Sequence, residues 1–232
     1  QARSLIRDAE LEFALKNLAK PVLQAAGLSP NRIRILVIND PKLNAFVVDS
    51  RHIFIHSGLI RRLNRPEALQ AVIAHEIAHI ANGHLTRRAG NLRLSNRITA
   101  IGFALALAAA ASGEGQAAAG IAGGTASSAQ RVFFAHTRSE EASADQSGIR
   151  YLRRAGIDPA AMVDVLDLFR GQEALRANRQ DPYGRTHPLT RDRLRAVKGY
   201  AASAKATPPE TSDTGAYWFA RVNAKLTAFL GN

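Results

Sequence analysis

Residues 5–26, LIRDAELEFALKNLAKPVLQAA, set Leu5, Leu11, Leu15, Leu18 and Val22 near helical spacing and end at Gly27. This predicts an amphipathic helix, with Pro21 bending or dividing it. The period then changes. IRILVI (33–38) is a β-branched run, and AFVV and HIFIH are short apolar runs on either side of DSR. They predict three strands and a small antiparallel sheet ending near Gly58. Helical spacing returns in NRPEALQAVIAHEIAHIANGH, where Leu69, Val72, Ile73, Ile77 and Ile80 form the apolar stripe. Asn64 is the expected cap, Pro66 and Glu67 fall in the first turn and Gly83 is the stop. A helix apolar on nearly every side belongs in a core.

Residues 98–130, ITAIGFALALAAAASGEGQAAAGIAGGTASSAQ, break the alternation, with Glu114 the one charge between Arg97 and Arg131. Each uncharged half is shorter than the roughly 20 residues that cross a bilayer as a helix. The segment reads either as an Ala/Gly-rich loop or helical hairpin packed on the body, or as a gating hairpin that touches a membrane or partner. A long helix follows from Thr137 to Gly156, and a second begins at Asp158 and Pro159. DPYGRTHPLTRDRLRAV is a Pro/Gly loop leading into a helix, KATPPETSDTG (205–215) a linker, and AYWFARVNAKLTAFL a terminal helix. The pattern predicts a mostly helical α+β chain, with one domain over 1–204 and a linker with a C-terminal helix over 205–232.

Composition narrows the partners. The chain has 31 Lys+Arg against 19 Asp+Glu, a net charge of +12, which suits nucleic acid, anionic lipid or acidic partners. Its arginines are scattered, and 6% aromatic content offers little for stacking bases, so no nucleic-acid partner is expected. With no cysteine, any metal must be held by histidines and carboxylates. The chain opens at Gln1 without an apolar leader and reads as processed, its signal peptide removed.

The chemistry concentrates in AHEIAHIANGH. Four residues apart on a helix, His75 and His79 present their rings to one ion. Glu76, turned about 100° from His75, is placed to take a proton from a metal-activated water. Three ionisable groups in an apolar helix are costly without a metal. A hydrolytic site needs a third protein ligand, and the candidates are His136, His187, Glu140 and Glu141. In SEEASAD, Glu141 and Asp145 share a stripe with Ile149 and Leu152, so Glu141 points inward, and Asp145 is suited to orient a ligating histidine. Glu140 fits a solvated acidic helix start.

HExxH, EASAD about 60 residues later and HPLTRDR near the end together resemble metallopeptidase family 48, most of all its soluble periplasmic bacterial members. The similarity covers most of the chain, with NAFVVDSRHIFIHSGLI resembling the family's edge-strand hairpin and IRYLRRAGIDPAAM its later helix and turn. The resemblance implies a zincin-like, gluzincin-type endopeptidase holding one Zn2+ per chain. His75, His79 and Glu141 would be its ligands, Glu76 its general base, and Asp145 a supporting residue. His187 and Arg193 would lie near the cleft, as cations stabilising an oxyanion or with His187 on the fourth zinc position. Asn44, Ala45 and Phe46 would begin the edge that receives an extended substrate. The implied substrates are unfolded or misassembled polypeptides, including outer-membrane proteins, met in the periplasm. A proteolytically quiet zinc-containing chaperone or adaptor for outer-membrane protein assembly is the alternative. The spanning helices of integral members have no counterpart here, nor does the helical-repeat domain that follows the peptidase core in periplasmic members.

Overall fold

The computed structural model describes residues 4–112, 115–175, 179–204 and 213–231; some helical side chains, including that of His136, also fall outside the description. So does most of the expected linker, residues 205–212. Residues 1–82 with 142–232 form one compact unit, and residues 83–141 a second.

In the first unit, β1 (Leu5–Ile6), β2 (Arg34–Ile38), β3 (Ala45–Val47) and β4 (His52–His56) form one sheet in the order β1-β2-β4-β3. β1 pairs antiparallel with β2, and β3 antiparallel with β4, but β2 and β4 run parallel, from Arg34 opposite His52 to Ile38 opposite His56. The sheet is therefore mixed, where an antiparallel one was expected. The reason is burial. β4, with Ile53 and Ile55 fully covered, takes the central place beside β2, while β3, with Phe46 and Val47 half-covered, is left at the edge. Leu5 and Ile6 are also strand rather than helix. Helix α1 (Ala9–Ala25) starts behind them, because the Asp8 side chain accepts from the Leu11 N–H at 2.7 Å, and it continues through Pro21 undivided.

Helix α2 (Ser57–Arg62) follows β4 directly. The loop before β3 is pinned to its start: Ser57 Oγ donates to the Asp40 carbonyl at 3.1 Å, and the Gly58 N–H donates to the same oxygen at 3.0 Å. A Cβ at Gly58 would lie 2.0 Å from the Pro41 carbonyl oxygen, so only glycine permits this approach. Helix α3 (Pro66–Ala81) packs against α1, β3 and β4, and is buried from Ala68 to His79 as its apolar girth requires. Its cap residue is Arg65, with no side-chain bond, rather than Asn64, and Gly83 ends the turn at φ +67°.

Helix α5 (Gly115–Arg154) is continuous and begins well before Thr137. Within the first unit, a Cβ at Gly148 would lie 2.8 Å from Met162 Cε and 3.5 Å from the Ala74 backbone. This glycine thus lets α5 lie close beside α3, one residue from His75. Helices α6 (Ala160–Leu168), α7 (Pro182–Thr186), α8 (Arg191–Ser203) and α9 (Asp213–Leu230) complete this unit, with α6 against α3 and α8, and α9 against α1. The second unit holds α4 (His84–Ala111) and the first part of α5. Residues 98–111 and 115–130 are thus helical. No helix among the described residues is long and apolar enough to cross a membrane.

Candidate metal centre

One turn apart on α3, His75 and His79 bring their rings to 4.8 Å and their Nε2 atoms to 3.0 Å. The His187 ring completes a triangle, its Nδ1 3.2 Å from His75 Nε2. Donor atoms of His75, His79, Glu141 and His187 all lie within 4.8 Å of one another, and all four residues are buried. Glu76 is fully buried beside them, with Oε1 3.4 Å from His187 Nε2.

Asp145 decides how these nitrogens are used. Its Oδ1 meets His75 Nδ1 at 3.0 Å, and Arg193 donates to both oxygens, from Nε at 2.5 Å and Nη2 at 2.9 Å. Burial pushes the Asp145 carboxyl up, but the charge and hydrogen bonds of Arg193, followed by those of His75, outweigh it and hold the group below the usual carboxylate range. An anionic Asp145 can only accept, so His75 Nδ1 carries a hydrogen, and in the neutral ring Nε2 presents a lone pair to His79 and His187. Nitrogens converging at 3.0 and 3.2 Å can share ring hydrogens or, with those hydrogens lost, hold a cation between them. A tetrahedral zinc site, with Zn–N of about 2.0–2.1 Å, sets its ligand nitrogens about 3.3–3.4 Å apart. The donor set of imidazoles with one carboxylate, free of sulfur, fits Zn2+.

Arg193 is buried, and its Nη1 also donates to the carbonyls of His187 and Pro188 at 3.3 and 3.2 Å. This differs from the expectation of a cleft cation stabilising an oxyanion, because the guanidinium is engaged by Asp145 and by the loop that carries His187. His187 Nε2 meets the Ala45 carbonyl at 3.2 Å, linking the cluster to the edge strand. Asn44, the residue before, accepts from the His56 N–H at 2.9 Å, and the Phe46 ring stacks on Phe54 at 5.4 Å. Glu140 is buried, not solvated, since its stripe of Ala144, Ser147 and Tyr151 is buried as well.

Sequence reasoning missed Tyr183 and Phe169. The Tyr183 ring lies 4.5 Å from those of both His187 and Phe169. Its N–H donates to the Leu43 carbonyl at 3.1 Å, and its carbonyl accepts from the His187 N–H at 2.8 Å. The signal was an aromatic four residues before a histidine, the spacing of one helical turn.

The sequence model of peptidase family M48 matches residues 6–201. The chain belongs to this family. It is 29% identical over 209 residues to the beta-barrel assembly-enhancing protease of Escherichia coli K12, covering 90% of this chain and 42% of that protein. It is 25% identical over 202 residues to the mitochondrial metalloendopeptidase OMA1 of Schizosaccharomyces pombe, covering 86% and 55%. Over 79 residues it is 40% identical to a protease HtpX homolog of Caldanaerobacter subterraneus, covering 32% and 25%. The chain thus spans about two-fifths of the assembly-enhancing proteases it matches. M48 membership gives the buried cluster a metallopeptidase context.

Proposed function

We propose that this M48 chain is a zinc-dependent metalloendopeptidase acting on unfolded or misassembled polypeptides, outer-membrane proteins among them, in the periplasm. The observation that carries the reading is the set of four buried donors within 4.8 Å of one another, with an anionic Asp145 behind His75. His75, His79 and Glu141 hold one Zn2+ per chain. When bound, the ion supplies Lewis-acid charge for the scissile carbonyl and acidifies water. Glu76, fully buried next to His75, is the general base that accepts the proton and returns it to the leaving amine. Asp145 keeps His75 in the tautomer that leaves Nε2 available. Arg193 is a positioning residue, which fixes Asp145 and the loop carbonyls together.

An extended substrate adds to the β3 edge, at Asn44, Ala45 and Phe46, through backbone hydrogen bonds. The Ala45 carbonyl, which such a strand would use, is the group His187 meets at 3.2 Å. Substrate at this edge therefore competes with His187, and release of His187 frees the fourth donor position for chemistry. The same contact favours a second reading, a proteolytically quiet zinc-containing adaptor in which His187 stays in place.

The ligand assignment is tested by equilibrium dialysis with metal analysis on the wild type, His79→Ala, Glu141→Gln and His187→Ala. We expect about one zinc per chain in the wild type and in His187→Ala, and at least hundredfold weaker retention in the other two. Unaltered retention by His79→Ala or Glu141→Gln would refute the assignment. Casein cleavage by His187→Ala separates the two readings: faster cleavage than wild type supports the peptidase with a displaceable His187.

A further inference from the structure

Helix α4 carries an apolar surface that the peptidase reading does not use. Ile101, Phe103, Leu105 and Leu107 are 62, 54, 56 and 71% exposed in succession, whereas Gly102 and Ala106 between them are buried. At about 100° per residue, Ile101 and Leu105 flank the Gly102/Ala106 seam on one side, and Phe103 and Leu107 flank it on the other. A groove on a protein partner covers one side of a helix. Two apolar flanks facing away from one another suit a medium that surrounds the helix.

Charge is zoned along the same unit. It contains six arginines, Arg87, Arg88, Arg93, Arg97, Arg131 and Arg138, and three acids, Glu114 and, at its end, the buried Glu140 and Glu141. None of the arginines falls within 98–130, and Arg87, Arg93, Arg97 and Arg138 are exposed. The uncharged end of α4, residues 98–111, is about 21 Å long at 1.5 Å per residue, against a hydrocarbon core of about 30 Å. It is too short to cross and long enough to enter one leaflet, with Arg97 at the level of lipid phosphates and Arg93 and Arg87 above it.

We infer that residues 98–111 insert into one leaflet of an anionic phospholipid bilayer, which makes this a membrane-seated chain anchored by α4. The inference stands apart from the metal centre and from any peptidase activity.

The chain has no cysteine, so Leu105→Cys carries a single environment-sensitive dye at an exposed position. With phosphatidylglycerol/phosphatidylcholine vesicles the dye emission shifts to the blue, and brominated acyl chains quench it. Phosphatidylcholine vesicles alone give at least tenfold weaker binding, as does raised salt with mixed vesicles. In flotation with unlabelled protein, Phe103→Ser/Leu107→Ser loses at least tenfold in vesicle association, while Glu76→Gln floats like the wild type. The proposal is overturned if the chain does not float, or if Phe103→Ser/Leu107→Ser floats as the wild type does. It is equally overturned if the chain floats while the dye stays water-exposed. Shielding of the dye without vesicles, accompanied by a doubled mass in solution, also contradicts it and assigns the surface to a second copy.

Discussion

The carboxylate of Asp145 is buried between Arg193 and His75, and the balance of effects on it governs the histidines. Removing Arg193's charge leaves burial as the dominant influence, which raises the carboxyl and weakens its hold on His75 Nδ1. Arg193→Gln should therefore weaken zinc binding by about 10–100-fold while leaving the ligands themselves in place. Competition with a chelator of known affinity measures this; wild-type affinity would show that Arg193 only joins the loops. At this scale the HExxH helix was legible because its spacing is local, whereas the helical stripe did not sort Glu141 from Glu140, since both stripes are buried. Arg193's partner was not legible. Which charge meets a guanidinium depends on an approach between Asp145 and Arg193, 48 residues apart, that no local period encodes. Tyr183 differs, since its contact with the His187 ring spans one helical turn; what no local period encodes is its stacking on Phe169.

Among the elements, those with one strong period were read well. Helix α3, strands β2 to β4 and the terminal helix follow from hydrophobic spacing alone. Errors fall where two signals compete. Leu5 and Ile6 continue the apolar phase of α1, yet their backbone pairs with Val37 and Ile38 and the helix begins only after Asp8. Strand direction is likewise absent from a list of apolar runs, because placing β4 between β2 and β3 is a choice of burial. The Asp8 cap gives a pH-dependent test. The Leu11 N–H, acting first, and Lys225 hold its carboxyl below the usual range against some desolvation. A depressed carboxylate contributes stability that is full above the unfolded value of about 3.9 and is lost as pH falls through the folded value. Asp8→Ala should cost about 1 kcal/mol at pH 7. In urea denaturation the gap from wild type should narrow at pH 3; an unchanged gap would mean that the charged cap is not its source.

In the molecule as a whole, the candidate metal cluster gathers residues from distant parts of the chain: the edge strand at Ala45, the helix at His75 and His79, Glu141 with Asp145, the His187 loop and Arg193 on α8. The family resemblance let the sequence join these pieces, where composition and periodicity could only supply them separately. Residues 83–141 hold six arginines and three glutamates, so they carry +3 of the +12 and the rest of the charge is spread over the other unit. Peptide hydrolysis by this buried cluster, with Glu76 as its base, is the function proposed for the chain. The most direct measurement is cleavage of casein, an unfolded polypeptide, by zinc-loaded wild type and zinc-loaded Glu76→Gln, with bound metal quantified in both. Equal zinc in the two proteins, cleavage by the wild type, and a rate at least about a hundredfold lower in Glu76→Gln are expected. Cleavage by Glu76→Gln at the wild-type rate, or zinc-loaded wild type that leaves casein intact, would contradict that function.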